Sequence, residues 1–130
     1  MAVGMSSGEA NKILEALGNA TNYTAPTAWW IQLHTGDPGS AGTSNIAGNA
    51  TRKQVSFGTA ASGVISNDTA ITWSTGEVDT SEDYSHWSAW TASTSGTFLQ
   101  SGTMTANAVV SGDQFTIAVG DLDLTFTIAS

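Results

Sequence analysis

Two histidines, a cluster of four carboxylates and five tryptophans are the residues of this chain with chemistry to offer. His34 and His86 are general-base or metal-ligand types. Each lies beside tryptophan in a strand-like run, Trp29–Trp30–Ile31–Gln32–Leu33–His34 and Ser85–His86–Trp87. Sixteen serines make a chance Ser–His encounter expected, and no nucleophile-elbow pattern surrounds any of them. No catalytic residue is assigned and the chain reads as a non-enzyme. Glu77, Asp79, Glu82 and Asp83 could supply oxygens to a hard cation. Their spacing departs from the EF-hand loop, which also needs a central glycine. They read as a solvated acidic loop, with no metal and no cofactor.

The tryptophans are Trp29, Trp30, Trp73, Trp87 and Trp90. Strand alternation sends adjacent Trp29 and Trp30 to opposite faces, and likewise Trp87 and Trp90. Some rings must therefore face outward. Two uses stay open, a subunit interface, where tryptophan is enriched, and a platform for stacking sugars. The interface candidates are Ile13, Leu14, Leu17, Trp30 and Trp87.

Which elements carry these residues follows from periodicity. Ser6 with Glu9 has capping-box spacing, and Ala10, Ile13, Leu14 and Leu17 form one apolar stripe. A helix over Ser6–Leu17 follows, closed at Gly18 by a left-handed cap. Three turns do not persist alone in water, so the stripe must dock on the sheet or on a neighbour. Strands are expected at Ala28–Thr35, Arg52–Phe57, Thr103–Val110 and Gln114–Val119. Gly63–Ser66 and Ala70–Ser74 flank Asn67–Asp68 as a hairpin, and Tyr84–Gly102 forms a strand-turn-strand at the sheet centre. Leu122–Ile128 alternates, with Leu122, Leu124, Phe126 and Ile128 inward. Gly36–Asp37–Pro38–Gly39 is a type II turn, and Ser40–Ala50 reads as an exposed loop. The fold expected is all-β, an antiparallel β-sandwich of about eight strands with one short N-terminal α-helix. It occupies residues 1–130 as a single domain with an arm and helix at 1–18.

Composition narrows the partners. Three basic residues face eleven acidic ones, giving a net charge of -8. That argues against nucleic acid, which needs a basic stripe, and against anionic membrane surfaces. Only 11% of residues are charged and none is cysteine, so no disulfide or thiolate metal site exists. Met1–Met5 lacks a signal-peptide start, and disulfide independence is compatible with a cytosolic birthplace. Four Asn-X-Thr triplets, at Asn19, Asn22, Asn49 and Asn67, read as chance in an Asn- and Thr-rich chain.

Several segments, in order, resemble a family of small tailed-bacteriophage virion proteins usually labelled tail-fibre-like. They are Ala10–Leu17, Leu33-His-Thr-Gly-Asp-Pro-Gly39, Val55-Ser-Phe-Gly58, Ile71-Thr-Trp73, Ser85-His-Trp-Ser-Ala-Trp90, Phe98-Leu-Gln-Ser-Gly102 and Val110-Ser-Gly-Asp113. Thr91 stands where the family commonly has aspartate, and Arg52-Lys53 replaces a Tyr-Ala-Arg-type run. The resemblance implies a structural protein on the outer surface of the virion, made in the host bacterial cytoplasm, with Trp90 as a core anchor because the family keeps a tryptophan there. The expected partners are further copies of itself, as a homotrimer, and the phage major capsid protein, which it would decorate as cement. The alternative is a tail-fibre or tail-tip module meeting other tail proteins or host surface glycans. In the decoration reading, the arm Met1–Met5 and the helix contact neighbours.

Overall fold

The longest ladder is built from the tryptophan-bearing segments. In the computed structural model, which describes residues 3–130, β1 (Trp29–His34), β2 (Lys53–Val55), β5 (Glu82–Trp90) and β6 (Phe98–Val109) form an antiparallel sheet in the order β2-β1-β5-β6. β3 (Val64–Ser66) pairs with β8 (Asp123–Thr125), and β4 (Ile71–Trp73) with β7 (Phe115–Ile117). These two small ladders make the second layer of a sandwich-like, eight-strand fold with one helix.

The core lies between the layers. Ile31, Leu33, Tyr84, Trp87, Ala89 and Leu99 from the large sheet meet Ile71, Trp73, Phe115, Ile117 and Leu122 from the small ones. Phe115 joins them, its ring 5.0 Å edge-on from Tyr84 and 5.9 Å from Trp73. Offset and edge-to-face aromatic pairs of this kind add ~0.5–1.5 kcal/mol beyond burial. The Trp73 indole N–H donates to the Thr51 carbonyl at 2.8 Å, so this buried ring keeps its polar end satisfied.

β5 places its residues through two irregularities. The register shifts between Tyr84 and His86 and again between Ala89 and Trp90. A bulge resets alternation, so Tyr84 and Trp87, an odd number apart, both enter the core. Gly102 opposite makes room, because a Cβ there would lie 2.4 Å from Cζ2 of Trp87.

Several expectations need correction. Asn67–Asp68 does not join a hairpin, since β3 and β4 pair with β8 and β7 instead of each other. The reason is Asn67 itself, which is buried. Its amide donates to the carbonyls of Thr69 and Ala118 at 2.8 and 2.9 Å and accepts from the Leu122 N–H at 2.9 Å. It thereby ties this corner to the β7–β8 turn. Asn67→Ala strands these buried groups, and each unsatisfied one costs ~1–3 kcal/mol. A loss of about 3 kcal/mol in chemical denaturation is expected, with the midpoint lowered and the slope unchanged.

Thr103–Val110 is not a separate strand but the second half of β6. Ser40–Ala50 is not simply exposed. Ala47 is buried, its N–H donates to the Leu33 carbonyl, and Thr35 N–H donates to Asn45. Gly42, at φ 73°, lies so close to the Phe98 ring that a Cβ would overlap it at 2.5 Å. This segment therefore covers the second face of the large sheet. The inward alternation of Leu122–Ile128 fails after Thr125. β8 ends there, and although the Phe126 N–H still donates to the Gly63 carbonyl at 2.7 Å, the Phe126 and Ile128 side chains are exposed.

Candidate functional site

The helix α1 spans Ser7–Asn19, two residues beyond the expected end. Its left-handed cap is Ala20, not Gly18, with the Ala20 N–H bonded to the Glu15 carbonyl. Ser6 caps the N-terminus, its Oγ accepting from the Glu9 N–H at 3.2 Å. The reciprocal half of the box is absent because Ser6 N–H donates to the Leu99 carbonyl at 2.8 Å. The Glu9 carboxylate is thus free for other partners. It is buried, accepts the Tyr23 hydroxyl hydrogen bond, and lies 3.5 Å from Lys12 Nζ. Burial and the adjacent Glu9 push the Tyr23 phenol up to about 12, so it stays a donor at physiological pH.

No strand packs extensively along α1. Leu14 and Leu17 are 61% and 83% exposed, and Ile13 is half-buried toward Tyr23, Trp29 and Phe126. The helix thus presents two leucines outward in a chain whose charge opposes casual association. Trp30 is half-buried on the large sheet, between Gln54 and Trp90 in register. Trp87 is different. It is 4% exposed within the core, so the structure removes it from the interface candidates. Trp90 takes the opposite face, as alternation requires, but outside the main core. It packs on Phe98 at 5.4 Å beneath the Arg52 guanidinium, 4.2 Å from the ring centre. Of the five indoles, Trp29 and Trp30 are half-buried and Trp73, Trp87 and Trp90 are buried.

The second sheet face holds a buried polar layer that periodicity alone did not reveal. His34 and Ser88 are both fully buried, with His34 Nε2 2.7 Å from Ser88 Oγ. The pairing has nucleophile–base geometry but the wrong surroundings for chemistry. His34 Nδ1 lies 2.8 Å from the Ser44 carbonyl, which makes Nδ1 the protonated nitrogen and Nε2 the acceptor. Ser88 donates to it and accepts from the Trp90 indole N–H at 2.8 Å. Every polar atom of the pair is spent and no substrate can reach it. Arg52 closes the layer, donating to the carbonyls of Ala92 and Ser95 at 2.9 and 2.7 Å. The network pins the 36–50 segment and the β5–β6 turn to the sheet.

Burial lowers the His34 pKa below its usual value, with smaller contributions in the same direction from His86 and Arg52, partly offset by the Ser44 and Asn45 backbone. The folded state thus favours the neutral ring. Its contribution is complete above the unfolded value of about 6.5 and is lost as pH falls through that value toward the lowered folded one. Thermal melts from pH 8 to 5 should show declining stability, and His34→Gln should flatten that decline. An unchanged slope in the variant would refute the assignment.

The acidic residues are likewise structural. Glu77 pairs with Lys53 at 2.6 Å, which holds its carboxyl below the usual range, and also accepts from the Ser74 N–H. Glu82 begins β5 and accepts from the Gly48 N–H, while Asp79 accepts from the Asn49 amide at 2.9 Å. Among the described residues no group of three or more ligand types is placed to hold a metal. No helix is long and apolar enough to cross a membrane.

The geometry therefore offers an exposed apolar helix face beside a sheet whose buried His34–Ser88 pair is fully hydrogen-bonded. A search of curated proteins gives no match. A family model described as Podophage GP4 fiber I protein gp80 matches residues 4–125, nearly the whole chain from the arm through β8, and the protein belongs to that phage fibre-like structural family.

Proposed function

We propose that this virion component is a small non-enzymatic subunit of an external phage appendage, attached through α1. The attachment reading rests on Leu14 and Leu17, exposed on a helix along which no strand packs extensively among the described residues. The choice of appendage is supported by the family's description as a fibre protein. The partner is another protein of the tail, met by the leucine face, with further copies of the chain beside it as a trimer. The contact is apolar because the chain has few cations to offer, and all three are engaged internally: Lys12 with Glu9, Lys53 with Glu77 and Arg52 with backbone carbonyls.

A second reading, capsid decoration, draws on the shape of the molecule. A short sandwich without sequence repeats suits a cement protein seated on a shell as well as it suits a fibre. Gold-labelled antibody on intact virions separates the two. Label restricted to the tail supports the appendage, and label over the head surface overturns it in favour of decoration. Absence from purified virions overturns both.

A further inference from the structure

The residues before α1 bridge the β6 edge of the large sheet. Ser6 N–H donates to Leu99, Ser101 N–H donates to Gly4 at 2.8 Å, and Met5 bridges Gln100 antiparallel. Gly4 N–H also donates to Ser101 Oγ at 3.2 Å. The pairing is regular, but the rest of this N-terminal unit sits loosely on its own body. A groove of about 370 Å³ separates Ile13 and Tyr23 from Trp29, Gln100, Leu124 and Phe126. Gln100 Oε1 is buried there with no hydrogen-bond partner among the described residues. A tightly packed seam leaves no such groove, and buried acceptors are seldom left without a partner.

The connector supplies reach. Residues 20–28 contain neither helix nor strand and are mostly exposed. Nine residues extend to ~30 Å, about twice the ~14 Å radius of gyration of a chain this size. The β6 edge adds the last element. β6 runs twelve residues without a charged side chain or a proline, so it lacks the usual devices that protect an edge strand. The arm and the edge segment it pairs with, Gly4–Ser6 and Leu99–Ser101, are uncharged in a chain of net charge -8. This is a patch on which copies can meet without repulsion.

We propose that the N-terminal unit exchanges between copies, the Gly4–Ser6 arm of one chain adding to the Leu99–Ser101 edge of the next. The same hydrogen bonds form within or between chains, so exchange costs little beyond association entropy. It holds subunits together while leaving Leu14 and Leu17 outward for a different partner. Each chain gives one arm and receives one, which closes into a ring.

The absence of native cysteine allows a clean test. Met5→Cys and Gln100→Cys chains are refolded together at high concentration and oxidised. The expected product is a disulfide-linked heterodimer well above the homodimer background of either chain alone, and linked multimers of the double variant. A double variant that closes only within its own chain, with no heterodimer from the mixture, overturns the proposal. Should the variants fail to fold, sedimentation of the unaltered chain decides. Exchange predicts a mass above 13.3 kDa that persists on dilution, and a single 13.3 kDa species at every concentration rules it out.

Discussion

Replacing Leu14 and Leu17 with glutamine is expected to remove the protein from virions while leaving its thermal stability within about 1 °C of the parent. Both side chains are largely exposed in the isolated chain, so trimming their apolar surface withdraws little from the core. Glutamine is nearly as good a helix former as leucine, and α1 keeps its Ser6 cap. At an interface the balance differs. Burying a leucine stabilises by ~1.5–3 kcal/mol, so losing two costs ~3–6 kcal/mol. That weakens attachment on the order of 100-fold or more. Co-expressing variant and parent during infection and measuring their ratio in purified particles gives the answer. Incorporation of the variant at parental occupancy would place the attachment surface elsewhere, with the half-buried Trp30 next to be tested.

Trp87→Ala should be the most damaging single substitution for the fold. The ring is 4% exposed and belongs to the central cluster. Large-to-small changes of this kind cost ~3–5 kcal/mol through lost burial and the cavity left behind, against a total near ~5–15 kcal/mol. The melting temperature should drop by about 10–20 °C. Gly102→Ala should destabilise from the opposite direction. The added Cβ would lie 2.4 Å from the indole, and overpacking a rigid ring costs ~1–3 kcal/mol. The two changes share one space, so they should not add. In the double variant the alanine methyl grows into the void, and the loss should be smaller than the sum by ~1 kcal/mol or more. Denaturant unfolding of the four-member cycle measures this term directly, and strict additivity would disprove the contact.

Much of the architecture was legible in local pattern. The Ser6–Glu9 signal and the apolar stripe mark a helix because caps and 3.6-residue periodicity are properties of a single segment. The Tyr84–Gly102 strand-turn-strand is visible for the same reason, with alternating residues on either side of a small polar turn. The outward leucines of α1 were open to prediction too, since three turns of helix with a wide apolar stripe must meet something. The order of family-like segments pointed to a phage virion protein before any side chain was placed.

What local pattern could not settle is which face of each strand turns inward, and which strands pair. Trp87 and Trp90 must face opposite ways, but a bulge at Tyr84–His86 decides that Trp87 enters the core and Trp90 lies under Arg52. Asn67 reads as a turn residue. Only the approach of Ala118 and Leu122, more than fifty positions away, turns it into a buried bracket that separates β3 from β4. His34 and Ser88, 54 residues apart, meet only because β1 and β5 are neighbours in register. Phe126 and Ile128 alternate correctly yet stay outside, because they lie past the end of β8, where no element covers their side chains. The helix and most strand positions were therefore set by the sequence within short windows. The inward face, the strand partners and the separation of exposed from buried side chains depended on long-range pairing, whose hydrogen bonds exist only once the sheet has closed.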